Sequence, residues 1–382
     1  MSNTFLTSNE ISKRALPVLS QSLVMPALAN VDYSDTFAQK GDTIQVKRPA
    51  VFVADEFGST INLQDINPFP VLVKMDKIAD VSVEVTSKQL ALNIEDFKVK
   101  VLEPAIVALA EKINADGLDV YVYVPNFVGT AGTTPDGLDD FANAAKKLND
   151  AKAPTMNRFA VWDTASTAKF QVLDAIVAAE KSGTTEALRE GAIGKVFGMN
   201  NYMTQAIKTH TAGGYTSLAD VTVTADDANN AVDAITGFMY SSFVLTSAAG
   251  TATTKLEKGD LLTVGTKQYT VIEQTAAAIA GVVTAKVFPK ITADLSAAAV
   301  TFADVSARAH VANLAFNKNA FGFVTRPLEP MVGADSSVIS YQGLNIRVTI
   351  QSDISTKKTI MSLDTLYGWA LLYPELATRI LG

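Results

Sequence analysis

The chain has 382 residues, 48% of them hydrophobic and 19% charged, which describes a globular protein with sizeable cores and excludes a disordered one. A net charge of −7 argues against a protein that grips duplex nucleic acid by neutralising phosphates. The absence of cysteine excludes disulfides and thiolate metal sites, and only two histidines remain for imidazole chemistry. No cationic start with an apolar core marks a signal peptide, and the longest uncharged run, Ile235 to Thr254, is broken by Ser, Thr and Gly and predicts no bilayer span.

The first 30 residues read as an extended arm with a short helical piece, in which Leu16, Leu19 and Leu23 share a face between Pro17 and Pro26. From Gly41 the period switches to two. Thr43 to Arg48 alternates, Val51 to Val53 resumes after Pro49, and a second alternating run holds Val71, Val73, Met75, Val81, Val83 and Val85. Two such runs around a long polar tip predict a projecting β-hairpin, its prolines suited to an edge. Lys47 and Arg48 face Asp55 and Glu56 across that tip and are candidates for ion pairs between subunits; ordinary solvated surface charge is the alternative.

Residues Asn93 to Gly117 follow with the three- and four-residue spacing of an amphipathic helix: Ile94, Phe97, Val101, Leu102, Ala105, Ile106, Leu109 and Ile113 on one face, and Asp96, Lys100, Glu103, Glu111 and Asn114 on the other. Pro104 lacks an amide and clashes with the carbonyl of Lys100, so the helix either kinks there or has its strong part start at Pro104. Val120 to Val124 predicts a buried strand. A helix with Leu138, Phe141, Ala145 and Leu148, a strand Arg158–Trp162 and a helix starting near Asp163 complete an α/β pattern. Between about Thr211 and Ala309, Ala and Thr dominate and short β runs appear at Val221–Thr224, Phe238–Leu245, Asp260–Val264, Gln268–Ile272 and Val282–Phe288, which predicts a small inserted barrel or sandwich. Strands resume at Val311–Phe316, Gly343–Val348 and Leu363–Leu372.

Motifs for catalysis are missing. No Gly-x-Ser-x-Gly elbow occurs, and the glycine-rich Gly191 to Gly198 departs from phosphate-binding patterns, with Val196 where a P-loop needs Ser or Thr. It reads as a tight turn into a strand Val196–Ile207. His210 and His310 bracket the insertion and meet at its base if the insertion leaves and returns at one place. Asp136, Asp139 and Asp140 read as a helix start, and Asp226 and Asp227 as a solvated turn. These features predict neither an enzyme nor a cofactor or metal site.

Five segments in order resemble the major capsid (coat) proteins of tailed bacteriophages, in the subgroup typified by the coat of short-tailed Salmonella phages. They are Leu23–Met25 with Asp32 to Phe37 and Lys40 to Pro49; Leu102–Ala105 with Ala108–Ile113 and Asp116; Leu188–Arg189 with Gly194 and Phe197–Gly198; Asn313–Phe316 with Ala320–Phe321; and Asp364–Gly368 with Tyr373–Ala377. The resemblance implies an α+β chain with the Hong-Kong-97-type phage capsid fold and an inserted small β-barrel-like domain. The expected plan is an N-terminal arm (1–40), an extended β-hairpin loop (41–85), a peripheral domain with a spine helix (86–123), an axial α/β domain in two parts (124–210 and 310–350) around the β-rich insertion (211–309), and C-terminal strands (351–382). It further implies self-assembly into hexamers and pentamers of an icosahedral head, scaffolding and portal partners, enclosure of double-stranded DNA without sequence-specific binding, no membrane, and a place in the virion after assembly in the host cytoplasm. An encapsulin-like nanocompartment shell would use the same fold. A virion-surface glycan-binding adhesin is the alternative of another class, and the aromatics available to it in the insertion are Phe238, Tyr240, Phe243, Tyr269 and Phe288.

Overall fold

A computed structural model describes residues 23–31, 43–47, 70–86, 103–178, 189–218, 220–249, 254–303, 308–341, 344–353 and 358–382. The chain opens with a one-turn helix α1 (Met25–Leu28), then strands β1 (Thr43–Lys47), β2 (Pro70–Lys74) and β3 (Lys77–Thr86). Among the described residues the two alternating runs pair only through β1 and β2, antiparallel from Thr43↔Lys74 to Lys47↔Pro70. The second run divides at Met75 and Asp76, after which β3 leaves the hairpin for another sheet.

Helix α2 (Glu103–Leu118) begins with Pro104 in its first turn, where a missing amide is harmless. Residues 89–102, where a kink near Lys100 would lie, fall outside the described residues. Ile106, Leu109, Ala110 and Ile113 bury the expected face. Asn114, which its spacing puts on the polar stripe, is buried instead: its Oδ1 accepts the amides of Val24 and Met25 at 3.1 and 3.2 Å and so satisfies open donors of α1. The run Val120–Val124 is not a strand. Asp119–Tyr123 continues the helix as a 3-10 turn, because its open carbonyls find partners in the C-terminal strand and the insertion, as shown below.

Next come β4 (Phe127–Gly129), α3 (Leu138–Asp150), β5 (Arg158–Trp162), α4 (Thr164–Phe170), α5 (Asp174–Val177), β6 (Lys195–Val196), β7 (Met199–Met203) and β8 (Thr209–Thr211). Local chemistry sets these starts. Asp140 accepts the amides of Asp136 and Gly137 ahead of α3, and Asp163 accepts those of Ala165 and Ser166 to cap α4. The expected strand Val196–Ile207 is broken by a two-residue turn with Phe197 and Gly198 both at positive φ, 47° and 81°.

The insertion contributes β9 (Thr222–Ala225), β10 (Ala231–Val232), β11 (Met239–Thr246), β12 (Leu261–Val264), β13 (Lys267–Val271), β14 (Val282–Phe288) and β15 (Leu295–Phe302). Their order is β10-β11-β14-β13-β12-β15-β9, and a further β9–β11 pairing closes six of them into a barrel. Its core holds Val223, Phe243, Leu245, Leu262, Tyr269, Val271, Ala285 and Val287.

The chain returns through β16 (Ala309–Asn317), β17 (Phe321–Arg326), β18 (Asp335–Tyr341), β19 (Leu344–Asp353), β20 (Lys358–Leu371) and β21 (Ala377–Leu381). Two sheets result. One runs β4-β21-β16-β5-β7-β6, with β8 beside β16, over a core in which Phe141, Trp162 and Phe170 stack with ring centroids 4.4–4.8 Å apart. The other centres on the 14-residue β20, which pairs with β19 and β17 along one edge and with β3 along the other. Helix α2 lies on this second sheet, where Gly117 admits the indole of Trp369: a Cβ at Gly117 would sit 2.7 Å from Trp369 Cζ2.

Candidate functional site

Two joints set how the barrel and the hairpin sit on the body. The first is a buried polar plug. Arg379, wholly buried in the apolar strand β21, donates from Nε to the carbonyl of Val124 at 2.8 Å, from Nη1 to Gly259 at 2.6 Å, and from Nη2 to Val122 at 2.9 Å and to Thr270 Oγ1 at 2.8 Å. Its guanidinium lies 5.2 Å from the centroid of the Tyr121 ring. One side chain thereby fastens the 3-10 turn after α2, the β12 approach and β13 to the C-terminal strand. The fork geometry of Arg suits this task, since a compact ammonium reaches fewer acceptors at once.

Beside it, Asp260 collects the amides of Gly213 and Glu257 and the Nε2–H of His210, the last at 3.0 Å, while Tyr121 Oη lies 3.0 Å from His210 Nδ1. An ionised carboxylate only accepts, so Nε2 carries the proton and the tyrosine hydroxyl donates to Nδ1. His210 and His310 are register partners on β8 and β16, with ring centroids 5.2 Å apart. The two histidines do meet at the base of the insertion. Both nitrogens of His210 are committed to protein partners, so the pair is built as structure and not as a metal centre. Burial first, then the neighbouring His210 and Arg379, hold the ionisation of His310 down at about 4.

The second joint is a clasp from barrel to hairpin. The turn before β11 is closed by Thr236, whose amide and hydroxyl donate to Asp233 Oδ2 at 2.8 and 2.6 Å. The carbonyl of Thr236 accepts the amide of Leu72 on β2 at 3.2 Å. Phe238 then inserts into the body's core rather than the barrel's, stacked on Phe288 at 4.9 Å. A groove of about 560 Å³ remains between Leu72, Lys74, Ile235 and Trp369.

Of the residues the sequence nominates for subunit contacts, Lys47 ends β1, and Arg48, Asp55 and Glu56 lie outside the described residues. Asp226, Asp227 and Asp294 gather in one exposed group, but their bonds close turns: Asp226 accepts the amide of Ala228 and Asp294 that of Asp227. Among the described residues, exposed apolar side chains include Met331 and Val332 between β17 and β18, Val172 after α4, Phe197 at the β6–β7 turn, and Ile235 and Ile279 on the barrel. Also among the described residues, no helix is long and apolar enough to cross a membrane. Sequence reasoning missed Arg379. The signal was present: a lone cation inside the apolar run Leu376 to Leu381 requires a built set of acceptors.

This architecture has counterparts among solved structures. A structure from Mycobacterium phage Che8 superposes with a TM-score of 0.50 at 13% identity, over 94% of this chain and 90% of that one. The fold is that of tailed-phage capsid proteins of the Hong-Kong-97 type. The mature capsid of bacteriophage PhiM1 gives 0.47 at 9% identity over 90% and 82%, and the capsid of cyanophage P-SCSP1u 0.44 at 13% over 89% and 83%. Residues 269–382, from β13 to the end of the capsid fold, match the family model described as P22 coat protein, gene protein 5. No curated protein matches the sequence.

Proposed function

We propose that the chain is the major capsid protein of a tailed bacteriophage, a structural subunit that self-assembles into the icosahedral head around double-stranded DNA. The observation that carries this reading is the coincidence of the whole-chain capsid fold with a coat-protein family match over residues 269–382. Three of the five segment resemblances, those within residues 23–198, add support from the N-terminal two thirds, and the five together suggest the Salmonella-phage coat subgroup. In this reading the subunit works by presenting surfaces and performs no catalysis. Heterologous contacts whose rotations close give hexamers and pentamers instead of open fibres.

The proposed division of labour follows the plan of arm, hairpin, peripheral and axial domains, and insertion. The hairpin whose base is β1 and β2 laps a neighbouring subunit, and Lys47, Arg48, Asp55 and Glu56 pair across that contact. A scaffolding protein guides closure, a portal occupies one vertex, and the acidic chain, at −7, surrounds DNA without gripping it. The place of action is the virion. The glycan-binding alternative loses ground on the barrel itself: Phe238, Phe243 and Tyr269 are buried, so they offer no stacking platform to a sugar.

The test is to produce the chain with its scaffolding partner and follow assembly by sedimentation velocity. Shell-sized particles support the reading, and persistence of monomers across assembly conditions contradicts it.

A further inference from the structure

We propose that the barrel is joined to the body through an acid-sensitive hinge, in which charging of His310, at the seam where it pairs with His210, undocks the barrel while the barrel keeps its own core. The chain enters the barrel just after β8 and leaves it just before β16, and these two crossings pair with each other: Thr211↔Ala309, His210↔His310, Thr209↔Val311. Both histidines thus stand on the only two covalent links between the parts, and both are buried. The barrel's own core is a cluster apart from the body cores, so parting at this seam leaves it closed, while Phe238 and Leu261 come away from their contacts with the body.

The groups at the pair come from five elements. Tyr121 belongs to the 3-10 turn, Asp260 to the approach to β12, Arg379 to β21, and the histidines face each other from β8 and β16. Glu257, Lys258 and Arg308 share with His210 the walls of a cleft of about 630 Å³ that opens beside the seam. Both nitrogens of His210 are already held, by Tyr121 and by Asp260, which also takes two amides. A proton on His310 therefore sets a buried cation beside the guanidinium of Arg379. Undocking hydrates both.

The sign follows from proton linkage. His310 ionises near 4 when docked and near the ordinary 6.5 when released, so acid favours release. The ratio of undocked to docked chain rises about 20-fold between pH 7 and pH 5 and about 120-fold between pH 7 and pH 4. The hinge is a property of the single subunit, whether or not it assembles.

Hydrogen exchange on the full-length chain, corrected for the intrinsic rate at each pH, tests this. Between pH 7 and pH 5 the seam segments around 209–213 and 309–312 are expected to lose protection about 20-fold relative to the barrel segment 283–287, and His310→Gln is expected to abolish the difference. Seam and barrel losing protection together, or His310→Gln behaving as the parent, overturns the hinge. Ring NMR on the parent chain gives a check that needs no variant, because two histidines give two ring signals. One signal is expected to titrate well below 6.5 and in step with seam opening; two ordinary titrations with the seam still closed also overturn it.

Discussion

Tyr367 on β20 donates its hydroxyl to Asp116 on α2 at 2.6 Å, which locks the long strand to the end of the helix that lies on it. The same carboxylate takes Lys112 at 2.9 Å and Lys77, from β3, at 3.5 Å. Three elements, α2, β3 and β20, thus converge on one acid.

Burial alone would raise the Asp116 pKa, but the bonds from Tyr367 and Lys112 and the charge of Lys77 outweigh it and hold the carboxyl below its ordinary value of 3.8. A depressed acid stabilises the fold above the unfolded pKa, and that contribution disappears as the pH falls through the lowered folded value. Tyr367→Phe is therefore expected to cost about 1–3 kcal/mol at neutral pH. It should also move the acid end of the stability profile upward. Urea unfolding at several pH values reads both effects.

Removing the fork of Arg379 leaves the carbonyls of Val122, Val124 and Gly259 buried without that donor. Arg379→Met is expected to destabilise the chain by about 3–5 kcal/mol, and Arg379→Lys to recover only a small part. Calorimetry provides the measurement, with the barrel and body transitions drawing apart in the variant. A single unshifted transition would show that the plug holds nothing together.

Two glycines permit close approaches around β20. A Cβ at Gly368 would collide with the backbone carbonyl of Lys74 at the base of the hairpin, and one at Gly117 would press on the indole of Trp369. Gly117→Ala is expected to cost about 1–3 kcal/mol as the ring is displaced. Gly368→Ala meets backbone and must shift β2. It is expected to fold yet fail to form regular shells, seen as broken or heterogeneous particles in sedimentation.

The strand pattern of the barrel was largely legible before the structure. Val221–Thr224, Phe238–Leu245, Asp260–Val264, Gln268–Ile272 and Val282–Phe288 each became a strand within a residue or two. Strand β15 was not, since Leu295–Phe302 is mostly Ala, Ser and Thr and carries little β propensity; the barrel's closure imposes it. Val120–Val124 misled for the opposite reason. Its alternating Val and Tyr favour a strand, but the donors of Arg379 and Thr270 reward a 3-10 turn, and those partners lie far away in sequence. Asn114 looked like the wet face of an amphipathic helix, because spacing reveals a face but not the polar partner waiting there.

The proposed lapping of the hairpin over a neighbour gives a charge-swap test. Lys47→Glu with Arg48→Glu is expected to weaken assembly, as is Asp55→Lys with Glu56→Lys. An equimolar mixture of the two double variants, or the quadruple variant, should recover it in part. Exposed pairs are worth about 0.2–1 kcal/mol each, so the effect appears as a shift in the critical concentration rather than as loss of folding. Parent-like assembly of both double variants would remove these residues from the contact.

The central claim is that this chain builds a closed shell by itself or on a scaffold. Electron microscopy of the purified assembly reaction tests it most directly. The account predicts uniform icosahedral particles whose reconstruction shows hexamers and pentamers of this fold, with the barrel as a separate lobe on each subunit. Monomers or irregular aggregates under every assembly condition would contradict it.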